Sequence, residues 1–279
     1  MKQLRIISLI CALCLFLSAC ASQQPEDGSS TEPPNTVRIT IPEGASAADI
    51  GGLMEQNGLF TRSEFLAEVN RGNADSPLVQ EIGDWENRAF LLEGYLFPDT
   101  YEFYRDDSPE RVIQKLLDNL EKKITGTQKA RAKEFDMTMD EVLTLASIIQ
   151  AEAGDPAQMK TVSSVLHNRL NSKSHPKLEC DVTIFYLEQE VQPYLTEDKD
   201  RFNSFCTGLP EGPICNPGMD AINAALNPEQ TDYFYFATDK AGKYYYAKTL
   251  AEHQKNWNAI KKVNAALTTA AQANTNADD

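Results

Sequence analysis

Thr138-Met-Asp-Glu-Val-Leu-Thr-Leu-Ala-Ser-Ile-Ile-Gln-Ala-Glu-Ala-Gly-Asp-Pro156 decides the fold of this chain. Thr138 followed by Glu141 has the form of a capping box. Val142, Leu145, Ala146, Ile149 and Ala153 recur at helical spacing, which predicts a helix over 138–153 with one apolar face. Glu152 stands three residues after Ile149 and seven after Leu145, so it shares that face. Gly154 is placed to end the helix as a left-handed residue. Asp155-Pro156 starts another, with Asp as N-cap and Pro at the first position. That second helix runs to about Ser172, with Met159, Val162, Val165, Leu166 and Leu170 inward. Glu152 then has two reasons for a raised pKa. Ionisation on an apolar face costs desolvation, and the last turn of a helix disfavours a negative charge. A carboxylic acid held protonated near neutral pH can act as a general acid. The bland alternative is a carboxylate paired with Arg169 or Lys160.

Outward from this pair of helices, Thr36 to Ile41 alternates and is β-branched, a strand. Ser46 is placed to cap a helix over 47–57 that stops at Gly58, and a second helix runs from Arg62 or Ser63 to about Asn70. Residues 71–87 are polar and irregular. Leu91 to Phe103 alternates around aromatics and is broken by Gly94 and Pro98, so it reads as strand and turn. A helix follows from Pro109 to Glu121 or beyond. Gly208-Leu-Pro-Glu-Gly-Pro-Ile-Cys-Asn-Pro-Gly218 is too rich in Gly and Pro for a regular element, and a long ordered loop of this kind is usually functional. Met219 to Leu226 is a short helix. Tyr233 to Ala237 and Tyr244 to Ala247 form a hairpin, read as core in preference to a sugar platform. A last helix runs from about Thr249 to Ala265. The fold class is α+β: a small β-α-α module over 36–86, LysM-like in outline, and a mixed α+β catalytic domain over 87–265, with a disordered tail over 266–279.

The first twenty residues read as a leader. Lys2 and Arg5 precede an apolar run, Ile6 to Leu17, too short to span a bilayer comfortably. It ends Leu17-Ser18-Ala19-Cys20, similar to a bacterial lipobox with Cys20 as the lipidated residue. This places the protein outside the cytoplasm on a lipid anchor, with residues 21–35 as a flexible tether. With 41 acidic and 26 basic side chains the chain carries −15. No basic stripe is present, so nucleic acid and anionic headgroups are poor partners. Cys180, Cys206 and Cys215 are an odd number in the exported part, so at most one disulfide leaves one thiol over. No spacing suggests a metal site, and no cofactor is implied.

Other catalytic constellations are weak. His167, His175 and His253 lie on separate elements; His253 on the last helix could reach the site, yet a satisfied core histidine is the preferred reading. Ser163 and Ser164 sit inside a helix. Glycoside hydrolases mostly use two carboxylates, and Glu93, Asp99 and Asp181 are candidates for a second. A mechanism with one carboxylate suits the chain better: the sugar's own hydroxyl attacks the anomeric carbon, and Glu152 serves as acid and then as base.

Several segments, in order, resemble one family. They are Glu93 to Tyr101, Leu145 to Ala153, Val162 to Leu170, Cys180-Asp-Val-Thr183, Phe202-Asn-Ser-Phe205, Gly208 to Gly218 and Ala251-Glu-His253. Together they resemble the YceG-like endolytic murein transglycosylases. The resemblance implies cleavage of the β-1,4 bond between N-acetylmuramic acid and N-acetylglucosamine in nascent peptidoglycan, leaving 1,6-anhydro ends. It implies work beside cell-wall synthases, the penicillin-binding proteins. It places the catalytic acid on Glu152, and substrate-binding roles on Asn203, Asn216, Ser204, Arg169 and Asp181. Many members carry Glu where this chain has Gln150, which points to Glu152 as the carboxylate needed. Members usually begin with a transmembrane helix, and here a lipobox stands instead. A second reading is a non-catalytic glycan-binding scaffold lipoprotein.

Overall fold

The computed structural model describes residues 35–275, apart from 73, 84–87, 195–203 and 206. The leader with Cys20, most of the tether, Asn203 and Cys206 lie outside the described residues. The chain is mixed α and β, as expected. Strand β1 (Thr36–Thr40) pairs antiparallel with β2 (Thr100–Tyr104), Thr36 opposite Tyr104 and Thr40 opposite Thr100. Between them lie α1 (Ala47–Gln56), α2 (Arg62–Val69) and α3 (Pro77–Gln80). Helices α4 (Pro109–Lys123), α5 (Gly126–Glu134), α6 (Met139–Glu152) and α7 (Pro156–Leu170) come next, then α8 (Val182–Phe185), which runs into a π-helical turn at Tyr186–Val191. Helix α9 (Met219–Leu226), an antiparallel hairpin of β3 (Tyr235–Thr238) and β4 (Tyr244–Ala247), and α10 (Leu250–Thr275) complete it.

Most of these elements start with a local signal. Ser46, Thr61 and Thr138 each close a capping box at the heads of α1, α2 and α6. Helix α5, not among the expected elements, has the same signal in Thr125 and Gln128. The irregular stretch before Asn87 contains α3, capped by Ser76 and burying Leu78 and Val79.

Helix α6 is more central than its pattern predicts. Leu143, Thr144, Ser147 and Ile148 are buried along with Val142, Leu145, Ala146 and Ile149, so the helix is enclosed on nearly every side. Each large aliphatic side chain so buried contributes about 1.5–3 kcal/mol. Helices α7, α8 and α9 and the 213–218 loop surround it. Inside, the Ser147 hydroxyl donates to the Thr144 carbonyl at 2.8 Å and accepts the Ile214 N–H at 3.0 Å, which pins that loop to the helix.

Residues 36–83 and the rest of the described chain are not separate bodies. Strand β1 is completed by β2, and Ile39, Ile50, Phe65 and Val69 belong to the same buried cluster as Leu96, Leu116 and Ile149. The α-α part of the expected module is therefore packed into one unit with the helices from α4 onward.

The C-terminal helix corrects another expectation. It continues to Thr275 instead of ending near Ala265, because the tail is alanine-rich and Ala has the highest helix propensity. Among the described residues no helix is long and apolar enough to cross a membrane.

Candidate active site

Glu152 is the last residue of α6. The helix does not end at a left-handed Gly154, since Gly154 is absent from the residues with positive φ. It ends because Ala153 turns to φ −111° and ψ 89°. The freed backbone groups are then met from the hairpin: the Tyr244 hydroxyl donates to the Glu152 carbonyl at 3.1 Å and accepts the Gly154 N–H at 3.2 Å. Asp155 restarts the chain as α7 by accepting the Ala157 N–H at 3.0 Å, with Pro156 at the first helical position.

The Glu152 side chain enters a groove of about 600 Å³. Burial pushes its carboxyl up to about 7; the nearby Asp181 carboxylate pushes the same way, and the Cys180 thiol opposes both. Among the described residues no Lys or Arg pairs with it. Arg169, the expected alternative partner, is committed elsewhere. Its Nε donates to the Phe234 carbonyl at 2.7 Å, and one terminal nitrogen donates to the carbonyls of Lys177 and Leu178 and to the Glu179 carboxylate at 2.7 Å. The guanidinium also lies 5.1 Å from the Tyr235 ring centre. Arg169 lines the groove and ties α7, the 177–179 strap and β3 into one wall.

Asp181 lines the groove as well, exposed at the head of α8 and making no cap bond there. Ser204 is not on the groove. It is buried, and its hydroxyl donates to the Cys180 carbonyl at 2.9 Å, accepts the Cys180 N–H at 2.8 Å and meets the Thr183 hydroxyl at 3.0 Å. It is a peg for the segment that brings Cys180 and Asp181 to Glu152. Glu179, just before that segment, has φ +57°, a backbone state that non-glycine residues rarely hold without support. Its N–H is bound by the Ser204 carbonyl at 3.0 Å and its carboxylate by Arg169.

Asn216 is also inside the protein, fully buried. Its side-chain amide donates to the Ala45 carbonyl and to Glu93, both at 2.9 Å, and its side-chain oxygen accepts the Leu96 N–H at 2.8 Å. Glu93, a candidate for the second carboxylate, is equally enclosed. It accepts the Ala47 N–H at the head of α1 and the Tyr186 hydroxyl. With no cation beside it among the described residues, burial outweighs those donors and pushes its carboxyl up to about 8. This node is a buried hydrogen-bonded cluster, and none of its residues lines the groove. Asp99 is exposed, bound by Asn119 and held below the usual carboxylate range, and it is not a groove residue. Gln150 accepts the Gly218 N–H at 3.0 Å, fixing the loop at the start of α9. Asn168 donates to the carbonyls of Thr231 and Tyr233, both at 2.9 Å.

The hairpin and His253, read as core, form part of the groove wall: Tyr235, Phe236, His253 and Trp257 line it. That His253 on the last helix could reach the site was the weaker of two readings, and periodicity gave no sign that β3 faces Glu152, because that contact is made by tertiary packing alone. Cys180 and Cys215 are both buried and free.

The sequence pattern of the YceG-like family matches residues 23–259. This chain belongs to the YceG-like family. Two relatives carry the name endolytic murein transglycosylase. That of Bacillus subtilis is 31% identical over 230 residues, covering 78% of this chain and 63% of its own length. That of Streptococcus pneumoniae is 30% identical over 257 residues, covering 83% of this chain and 46% of its own. The chain thus spans roughly half to two thirds of these relatives. A crystal structure of a YceG-like protein from Listeria monocytogenes superposes with a TM-score of 0.66 at 29% identity, over 78% of this chain and 75% of that one. Both ends of the α6–α7 hinge and every groove element up to Trp257 fall within the family match.

Proposed function

We propose that this member of the YceG-like family is an endolytic murein transglycosylase, with Glu152 as its single catalytic acid and base. The observation that carries the reading is the setting of Glu152: a carboxyl raised to about 7, at the foot of an open groove, with no basic partner among the described residues. In the first step its proton passes to the glycosidic oxygen as the bond between the muramoyl C1 and that oxygen breaks. In the second, the resulting carboxylate takes the proton of the muramoyl C6 hydroxyl as that oxygen closes on C1. The product is a 1,6-anhydro end, no water is consumed, and Glu152 returns protonated. The names of the relatives support the substrate class.

Arg169 and Asp181 are read as substrate-facing residues of the groove. Ser204 and Asn216 support it from beneath, and Asn203 keeps its expected glycan-binding role. One observation favours a competing reading: Asp181 brings a second carboxylate to the same groove, as a conventional hydrolase requires. Digestion of peptidoglycan in heavy-oxygen water separates the two. Transglycosylation leaves the new ends unlabelled, whereas a hydrolase places the label on each new reducing end.

The same proposal holds the chain to the extracytoplasmic face of the membrane through a lipid on Cys20, within reach of cell-wall synthases. Its support is the Leu17-Ser-Ala-Cys20 order after an apolar run. Cys20→Ala is expected to abolish incorporation of labelled fatty acid and to release the protein from membranes. Membrane retention unchanged by that substitution would remove the anchor.

A further inference from the structure

Large apolar side chains exposed at the surface are few among the described residues, and three of them share one place. Phe185 is 52% exposed, Leu250 55% and Trp257 44%, and all three line the groove that holds Glu152. Single exposed apolar groups need no explanation, but a group of them in a concave surface marks a binding site. Phe185 comes from the end of α8 and Trp257 from α10, elements joined only by the tertiary fold.

The indole of Trp257 is held in place. Its Nε1–H donates to His253 Nε2 at 3.0 Å, one turn earlier on the helix. The His253 ring stacks on Tyr235 with centres 5.1 Å apart and planes 24° apart, and the Tyr235 hydroxyl meets His175 Nε2 at 3.0 Å. A ring fixed by such a ladder yet left nearly half exposed serves as a preformed surface, at little entropic cost on binding. Arg169, the arginine of the groove wall, is already committed to Glu179 and three backbone carbonyls, and Glu179 and Asp181 line the same groove, so an anionic occupant is disfavoured there. A pyranose ring fits: it has apolar C–H faces, which an aromatic ring can cover, and a rim of hydroxyls that stays wet.

We propose that Phe185 and Trp257 are sugar-ring platforms of the Glu152 groove, with His253 a positioning residue that fixes the Trp257 indole. The identity of the sugar polymer rests on the transglycosylase reading, but the platforms themselves do not.

The test uses soluble, uncrosslinked peptidoglycan strands as probe. In wild type, Phe185→Ala and Trp257→Ala are each expected to raise KM roughly tenfold, the scale of one aromatic contact, with kcat within about twofold. Both side chains are about half exposed, so truncation removes little core. Binding is read separately in Glu152→Gln, where titration with the strands should quench tryptophan emission, and where Trp257→Phe should abolish the quench while keeping affinity within about threefold. His253→Ala should raise KM in the same direction as Trp257→Ala, with less effect in a Trp257→Ala background. Unchanged KM and unchanged affinity in both alanine variants would overturn the proposal. A wild-type protein that forms no anhydro ends but shows Trp257-dependent affinity would remove the transglycosylase reading and leave the platforms standing. Normal turnover with unaffected KM in the variants would do the reverse.

Discussion

At the scale of the residue, the proposed chemistry needs a carboxyl group that stays protonated. Glu152 was legible in the sequence because its position is fixed by local periodicity, one turn past Ile149 on an apolar helix. What the sequence did not carry was its surroundings. Cys180 and Asp181 lie far away in the chain, and they reach Glu152 only because Ser204 and Arg169 hold the 177–183 segment in place. Activity requires the protonated acid, so kcat/KM is predicted to fall as pH rises, with an apparent pKa near 7. The Cys180 thiol favours the ionised form of Glu152, so Cys180→Ala should move that alkaline limb to higher pH. A limb that stays in place, or moves down, in a pH-rate profile of the folded variant would mean that the thiol does not act on Glu152.

At the scale of the element, the α6–α7 hinge is the device that presents the acid. Its helices were readable from the Thr138 box, the Asp155 cap and Pro156, all local signals. The way α6 ends was not, because the partner of its last groups is Tyr244, supplied by a hairpin some ninety residues later. Tyr244→Phe keeps the ring and removes both hydrogen bonds. It is predicted to cost about 1–2 kcal/mol of stability, measured by denaturant unfolding, and to lower kcat more than it raises KM, since the helix end bearing Glu152 loses its anchor. A variant with wild-type stability and kcat would show that Ala153 and the Asp155 cap shape the hinge alone. The length of α10 was missed for a different reason: an alanine-rich tail suggested fraying, whereas intrinsic propensity carries the helix to Thr275.

At the scale of the whole molecule, one buried polar node joins the parts that the sequence suggested were two domains. Glu93 receives α1 through the Ala47 N–H, the π-helical turn through Tyr186 and the 213–218 loop through Asn216. Asn216→Ala leaves Ala45, Leu96 and Glu93 each short of a buried partner and is predicted to destabilise by about 2–4 kcal/mol, with little effect on substrate KM if the residue supports the groove from beneath. A stable variant with raised KM would instead place Asn216 at the substrate. The same node gives a pH dependence. The folded protein holds the Glu93 proton up to about pH 8, whereas the unfolded chain releases it near the ordinary glutamate value of 4.5. The contribution of Glu93 to stability is therefore fully present below about 4.5 and is lost as pH rises through about 8, with Glu152 adding in the same sense up to about 7. Melting temperature should fall across this window, and Glu93→Gln should flatten the fall. An equally steep fall in that variant would assign the dependence to other groups. The node was not foreseen: Glu93 was read as a candidate second carboxylate and Asn216 as a substrate-binding residue, and only the tertiary fold brings the two together and buries them.

The measurement that bears most directly on the central claim is digestion of purified peptidoglycan by residues 21–279, wild type and Glu152→Gln side by side, with both proteins shown to share one melting curve and the products weighed. With Glu152 as the single acid and base, 1,6-anhydro-muramoyl ends are expected from the wild type and are lost by a factor of at least about 10² in the variant. Anhydro ends from Glu152→Gln at near wild-type yield, or reducing ends one water heavier from the wild type, would contradict that role.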